Sequence, residues 1–475
     1  MKKLQIPFLT AMMLMVMASL TSCSSDNAET STENDVTRPI SFSAYAYQYS
    51  AASQAKAASG GTAVSAEQAA ATRAGTTGNM NGISDLANNG FGVFAIATGT
   101  DTYASGVEAP DMMYNEIVTA KASGDSYSWT YDPLKYWPQG YMSFFAYAPY
   151  AEVAPATGIP TDNTDEGITA LTSNTSTTAP AVSYALSPDG DNVDLLYASN
   201  SDGTAITDFT YQQPVKFYFH HALTKVGGAL LNGETSGGLM VQLDVDQDGN
   251  ITGGSQPEST KITVDSILLE QVGTCSSADA TDIDRNVYTG GTLNLFTFAF
   301  TPGTTQAVGT DDASPVRHLI KVSGTNANGS LSESLAEPTS TNPAWNDIPT
   351  GVTTTAQNAY KEEKSPMLLI PAGTYPVLRV TISYTVRTQD SNLEIGYSQI
   401  RHTIIKEFVL GQPSQASKRY QLTLRIGVTS VKLDGSTDEW TLTNNSMIYD
   451  KTTQTWIPGP SIIEDDPSGD DEDYL

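Results

Sequence analysis

The sequence predicts an all-β protein, an antiparallel sandwich or barrel repeated in two domains, and three observations carry that prediction. Short runs of apolar residues with a period of two recur between proline, glycine and asparagine turns along most of the chain. Tyrosine (23) and glycine (38) are plentiful while charged residues make up only 16%, the composition of an exported β protein rather than a helical one. No long apolar stripe of helical period appears beyond the N-terminal segment, so almost no helix is expected.

That segment has a different character. Lys2 and Lys3 precede an apolar stretch from Leu4 to Leu20, which ends in Leu20-Thr21-Ser22-Cys23. A basic start, a short apolar run and small residues before a cysteine form a lipoprotein signal, too short for a spanning helix. Residues 1–22 are expected to be removed, and Cys23 to carry diacylglycerol and palmitate in the outer membrane. An ordinary secretory signal with a chance cysteine is the alternative. With Cys23 acylated, Cys275 has no intramolecular partner, and the mature chain must be held by buried area alone. Cys275 reads as a small packed or loop residue.

A net charge of -28, from 52 acidic and 24 basic residues, argues against nucleic acid and against a polybasic contact with anionic lipid. The mature length suits two domains.

The elements follow in order. Residues 23–37 are an acidic tether with nothing to bury. Pro39 to Tyr47 alternates, with Ile40, Phe42 and Ala44 on one face, and predicts a half-buried first strand. Residues 48–82 are a low-complexity link of Ala, Ser, Gly, Gln and Thr, containing Arg73 and Ala74, which cannot form a core and is open to proteases. Strand character resumes at Phe91–Ile96 and returns at Ser128–Tyr131, Tyr141–Ala148, Val193–Tyr197 and Val215–Val226. Residues 150–182 read as a surface loop rich in Thr, Asn and Pro. The first sandwich is thus expected over 38–232 and the second over 233–440. The second draws on strands at Ile262–Glu270, Thr292–Phe300, His318–Val322, Met367–Ile370, Val377–Val386, His402–Val409 and Tyr420–Val428. Residues 441–475 form an appendix containing Leu442, Met447, Tyr449 and Trp456, without an obvious hairpin partner, before an acidic tail.

Few motifs point to chemistry. Asp244, Asp246 and Asp248 with Gly249 match the first half of a calcium loop, but Ser255 stands where a bidentate glutamate is needed, so a β-turn competes with calcium, the one cofactor considered. His220 and His221 fall on opposite faces of a strand and are not expected to share a metal; one should be buried and one exposed. Trp129, Tyr131, Tyr136 and Trp137 could stack on sugar, although core packing is the commoner fate of such rings. No spacing resembles a zinc, nucleotide or nucleophile motif, and an enzyme is not expected.

Several segments together carry a family resemblance. They are the Cys23 signal, Ala71-Thr72-Arg73-Ala74-Gly75-Thr76-Thr77 before Phe91-Gly92-Val93-Phe94, and Tyr136-Trp137-Pro138 before Ser143-Phe144-Phe145-Ala146-Tyr147-Ala148-Pro149-Tyr150. Asp194-Leu195-Leu196-Tyr197-Ala198, Phe219-His220-His221-Ala222-Leu223-Thr224-Lys225-Val226 and Val428-Thr429-Ser430-Val431-Lys432-Leu433 follow. In this order they resemble the fimbrillins, the Mfa-like lipoprotein pilus subunits of Gram-negative gut and oral bacteria. The resemblance implies two tandem transthyretin-like sandwiches, lipoprotein export, cleavage after an arginine behind the first strand, and polymerisation into a surface fimbria by strand exchange. Arg73 is the expected site, since Pro39 shields the bond after Arg38. Its cut would free Ile40 to Tyr47 and leave a groove for another chain's strand. The donor expected is the appendix, through Leu442, Met447, Tyr449 and Trp456, although many relatives end near Trp440. Implied partners are other fimbrial subunits, the outer membrane through the lipid, and a host or bacterial surface ligand. A monomeric surface lipoprotein or tip adhesin binding glycan or host protein is the alternative.

Overall fold

The computed structural model describes residues 38–46, 80, 82–123, 126–153, 166–188, 192–211, 214–227, 239–243, 259–321, 331, 333, 335–349, 357–358, 367–426, 431–439, 447–450 and 455–458. Among them the protein is nearly all β, as expected, with one α-helix. In chain order the first elements are β1 (Phe42–Ala46), α1 (Ile83–Asn89), β2 (Phe91–Gly99), β3 (Met113–Ser123), β4 (Ser126–Thr130), β5 (Tyr141–Ala148), β6 (Gly167–Leu171), β7 (Ala181–Ala185), β8 (Leu196–Ser199), β9 (Ile206–Phe209), β10 (Val215–His221), β11 (Thr224–Val226) and β12 (Leu239–Leu243). Then come β13 (Thr260–Cys275), β14 (Asn286–Tyr288), β15 (Gly290–Asn294), β16 (Phe300–Pro302), β17 (Thr305–Ala307), β18 (Arg317–Lys321), β19 (Gln357–Asn358), β20 (Met367–Leu369), β21 (Tyr375–Gln389), β22 (Tyr397–Val409), β23 (Lys418–Ile426), β24 (Val431–Glu439), β25 (Met447–Asp450) and β26 (Thr455–Pro458).

An eight-stranded sheet takes the order β1-β10-β8-β5-β2-β3-β4, with β9 also on β5. Its central strands are buried on both faces, because alternate residues serve different cores. Phe91, Val93 and Ala95 of β2 and Phe144 and Ala146 of β5 face a smaller core with α1 and β1. Phe94 and Ile96 of β2 and Phe145 and Tyr147 of β5 face a larger cluster that continues to Ile426 of β23. Runs apolar on both faces are what a strand between two layers requires.

The larger cluster is enclosed by three further sheets. One has the path β19-β12-β23-β11-β20 with β24 on β23, one the order β18-β13-β21-β22, and one the order β16-β15-β7-β6. In the last, β7 pairs antiparallel with β15, Val182 opposite Leu293, joining residues on either side of the segment 228–238. The expected surface loop at 150–182 is corrected in part. Ile168 and Leu171 of β6 and Val182 of β7 are buried, since β15 offers this polar stretch a partner edge and the core a place for its few apolar side chains. The appendix is also not without a partner: β25 and β26 pair as a hairpin, Tyr449 opposite Trp456.

Most strands lie where alternation places them. β5 coincides with the predicted Tyr141–Ala148. Cys275 is packed at the end of β13, 4% exposed. Among the described residues no helix is long and apolar enough to cross a membrane.

Candidate functional site

The site is the seat of the first strand. Phe42-Ser43-Ala44-Tyr45-Ala46 runs parallel to β10, Phe42 opposite Val215 and Ala46 opposite Phe219. Ile40, Phe42 and Ala44 point into the smaller core and are 1%, 4% and 8% exposed. The Phe42 ring is met by Phe217 and Tyr131, both at 5.3 Å between centroids, and by Phe144 at 6.1 Å. On the opposite face Tyr45 stacks on Tyr218 at 5.1 Å.

The entry to β1 is held from the far end of the same sheet. Pro39 bridges Tyr136, the Ile40 amide donates to the Lys135 carbonyl at 2.8 Å, and the Trp137 amide donates to the Arg38 carbonyl at 3.1 Å. The Tyr131 hydroxyl donates to the Ile40 carbonyl at 2.9 Å, and burial raises its pKa, which keeps it a donor. The Arg38 guanidinium lies over the Tyr211 ring, 5.0 Å from its centroid. The eight-stranded sheet therefore curls until β1 and the chain following β4 meet, and β1 is the piece that closes the ring. Its backbone is satisfied on one side by β10 and at its start on the other.

The chain returns to this core at Met80, which is 3% exposed and fixed from behind. Its amide donates to Oδ2 of the buried Asp194 at 2.8 Å, while Asp194 Oδ1 is 3.0 Å from His221 Nδ1. One carboxylate thus ties β10 to the residue where the link from β1 ends. Asn89 of α1 reaches the Met80 sulfur at 3.3 Å and the Asp85 carbonyl at 2.7 Å.

The two histidines do lie on opposite faces, but the expectation that one is exposed is corrected. His220 is 9% and His221 0% exposed, because β10 lies inside a sheet covered on both sides. His220 Nε2 is 2.7 Å from Ser199 Oγ, and its ring stacks on Tyr197 at 4.9 Å. Burial, reinforced by the charge of His221, lowers the His220 pKa to about 3. Of the rings considered for sugar, Trp129, Tyr131 and Trp137 are core residues and Tyr136 is 48% exposed.

The other expected site residues are dispersed. Met447 and Tyr449 lie on β25 and Trp456 on β26. Cys23, Arg73, Ala74, Leu442, Asp244, Asp246 and Asp248 lie outside the described residues. Sequence reasoning missed Tyr131 and Lys135 as supports of β1 and Asp194 as the support of Met80. Asp194 stood only within a family segment, and no local spacing links it to Met80, 114 residues away.

A family model described as fimbrillin-like matches residues 72–440. No curated protein matches the chain. Among solved structures, a fimbrial protein from Bacteroides vulgatus is similar with a TM-score of 0.52 and 20% identity, over 85% of this chain and 99% of that one. A candidate cell adhesion protein from Bacteroides uniformis is similar with a TM-score of 0.33 and 14% identity, over 77% of this chain and 95% of that one. The first of these likenesses concerns the fold.

Proposed function

The chain belongs to the fimbrillin-like family, and on that premise we propose that it is a fimbrial subunit exported as a lipoprotein through Cys23, cut after Arg73, and polymerised when a strand of another copy takes the place of β1. As a member of that family it is a structural adhesion protein of the cell surface, not an enzyme, and it associates with other fimbrial subunits. The two-sandwich division at 38–232 and 233–440, the outer-membrane anchor and a surface ligand belong to the same proposal.

The observation that carries it is the position of β1. It closes the curled sheet, yet it is joined to the rest of the fold in sequence only through residues 47–79, which contain Arg73. Burying Ile40, Phe42 and Ala44 contributes roughly 5 kcal/mol at the usual gain per buried apolar side chain. That is comparable to the whole stability of many domains, about 5–15 kcal/mol. A chain that lost β1 would expose the apolar seat of Phe217, Phe144 and Tyr131 together with the unpaired edge of β10. Such an edge is completed by strand addition. For the appendix to be the donor, the β25–β26 hairpin must open or enter as a pair. No cofactor is required; calcium at Asp244, Asp246 and Asp248 would show as a melting temperature lowered by chelator.

The test is limited digestion of the full chain, with Cys23 replaced by serine, using an arginine-specific protease. The cut is mapped by mass spectrometry and assembly is followed by size. Cleavage at Arg73, loss of the segment carrying β1 and growth of polymers that removal of residues 441–475 abolishes are expected. A cut chain that stays monomeric would move the reading to a tip adhesin or monomeric surface lipoprotein. Retention of the wild-type chain in the membrane, with release of the Cys23→Ser variant, tests the anchor.

A further inference from the structure

A second edge of the protein lies in a different sheet from β1. β22 ends the sheet β18-β13-β21-β22, and among the described residues nothing pairs with its outer side. Natural sheets blunt exposed edges by shortness, proline, bulges or charged side chains. β22 has only the last of these, in Arg401, Lys406 and Glu407: it is 13 residues long, Tyr-Ser-Gln-Ile-Arg-His-Thr-Ile-Ile-Lys-Glu-Phe-Val, without proline or glycine. Its register on β21 is unbroken from Tyr397 opposite Gln389 to Val409 opposite Val377. By contrast, the β13–β21 pairing has two register shifts.

The edge also carries exposed apolar side chains among its polar ones. Ile400 and Ile405 are each 60% exposed, and with Leu393 and Ile395 of the preceding turn they make up four of the eight exposed large hydrophobics among the described residues. Ile404 and Phe408 are only partly buried against the larger core. Alternation puts Ile400, His402, Ile404, Lys406 and Phe408 on the core face and Arg401, Thr403, Ile405 and Glu407 on the other. Among the described residues the core face therefore runs past the last strand without a neighbour to finish it.

We propose that the neighbour is β22 of a second copy, paired antiparallel about a two-fold axis at Ile404. Residues directly opposite in an antiparallel pair share a face, so only even register sums are allowed. With Ile404 opposite its own copy, Ile400 meets Phe408 on the core face and Arg401 meets Glu407 on the other. A shift of one residue in the centre in either direction breaks both matches: Ile400 meets Lys406 in one direction, and Thr403 meets Glu407 in the other. Of these three registers one alone brings Ile400 to Phe408 and Arg401 to Glu407 together; it sets His402 opposite the exposed Lys406, and it joins two four-stranded sheets into one continuous sheet. Arg401 already pairs with Asp265, and Glu407 with Arg285 and Arg379, so the contact between copies extends a network and does not neutralise lone charges. A single strand pair is weak, but in a filament, which rests on the fimbrial reading, each subunit presents one β22 and lateral contacts add as avidity.

The test uses the uncut full chain, so that its outcome is independent of cleavage at Arg73. In a Cys23→Ser, Cys275→Ala background, Ile404→Cys and Ile400→Cys are compared under mild oxidation on non-reducing gels. In the paired state two copies of residue 404 have Cα atoms about 5 Å apart, within disulfide reach. Two copies of residue 400 are displaced by eight positions, about 26 Å. At least about ten-fold more linked dimer from Ile404→Cys is expected, given that difference in reach. The background chain should dimerise with concentration in sedimentation, and Ile400→Lys should abolish this. Equal cross-linking of both variants, linking by Ile400→Cys alone, a chain monomeric at all concentrations, or dimers lost on removal of residues 441–475 would each overturn the proposal.

Discussion

Truncating Phe42 isolates the seat of β1 from the rest of the fold. The ring is 4% exposed and touches Tyr131, Phe144 and Phe217 within 6.1 Å between centroids. Phe→Ala changes in cores cost about 3–5 kcal/mol. Because β1 lies at a sheet end and can shift, the low end applies, about 3 kcal/mol. That corresponds to roughly a hundred-fold rise in the population with β1 undocked. The Val215 amide donates to the Ser41 carbonyl and the Ile40 amide to the Lys135 carbonyl, both at 2.8 Å, and undocking opens both bonds. In Phe42→Ala these two amides should exchange with solvent about a hundred-fold faster, whereas amides of the β13–β21 pair should be unchanged. Tyr45→Ala, which removes only the outer stack on Tyr218, should cost about 1 kcal/mol or less. If Phe42→Ala costs under about 1 kcal/mol, or if exchange rises equally in β13, then β1 is not a separately removable closure.

Other perturbations probe the frame. His318 is buried, and burial lowers its pKa to about 4. Below the free value of 6.5 the unfolded chain binds this proton and the native chain does not, so stability should fall as pH drops from about 6.5 to about 4, by on the order of 3 kcal/mol, and a pH series of denaturant midpoints on His318→Leu should be flatter. His220 acts with the same sign, extending the loss toward pH about 3. Asp194→Ala leaves the Met80 amide and His221 Nδ1 without the carboxylate and should cost about 3 kcal/mol in urea unfolding, with early exposure of Met80 to oxidation. Gly92→Ala would drive a Cβ into the Tyr147 ring and place it 2.5 Å from Asn115 Oδ1, and should destabilise by about 1–3 kcal/mol in the same assay.

How far the fold was legible depended on how each strand is buried. β21 was readable because Leu378, Val380, Ile382 and Tyr384 alternate with polar residues, so a one-residue slip would turn the apolar set away from the core, and β5 because its short apolar run between turns is buried on both faces. β6 and β7 were not: Ile168, Leu171, Val182 and Tyr184 are sparse among Thr, Ser and Asn, and their strands exist because β15 supplies an edge. The histidine pair was half legible. Local geometry separates the two rings, but their shared burial follows from the layers on either side of β10, which no window of sequence contains.

Local periodicity and composition suffice for the β class, for the apolar face of Ile40, Phe42 and Ala44, and for the separation of that strand from the rest by a low-complexity link. The tertiary structure alone decided that β1 lies parallel to β10 and closes the sheet against Lys135–Trp137, and that Asp194 fixes the far end of the link. It alone also left β22, among the described residues, unpaired on its outer side. Each of these is a pairing between residues distant in sequence, where the partner's position depends on how the whole sheet twists and curls.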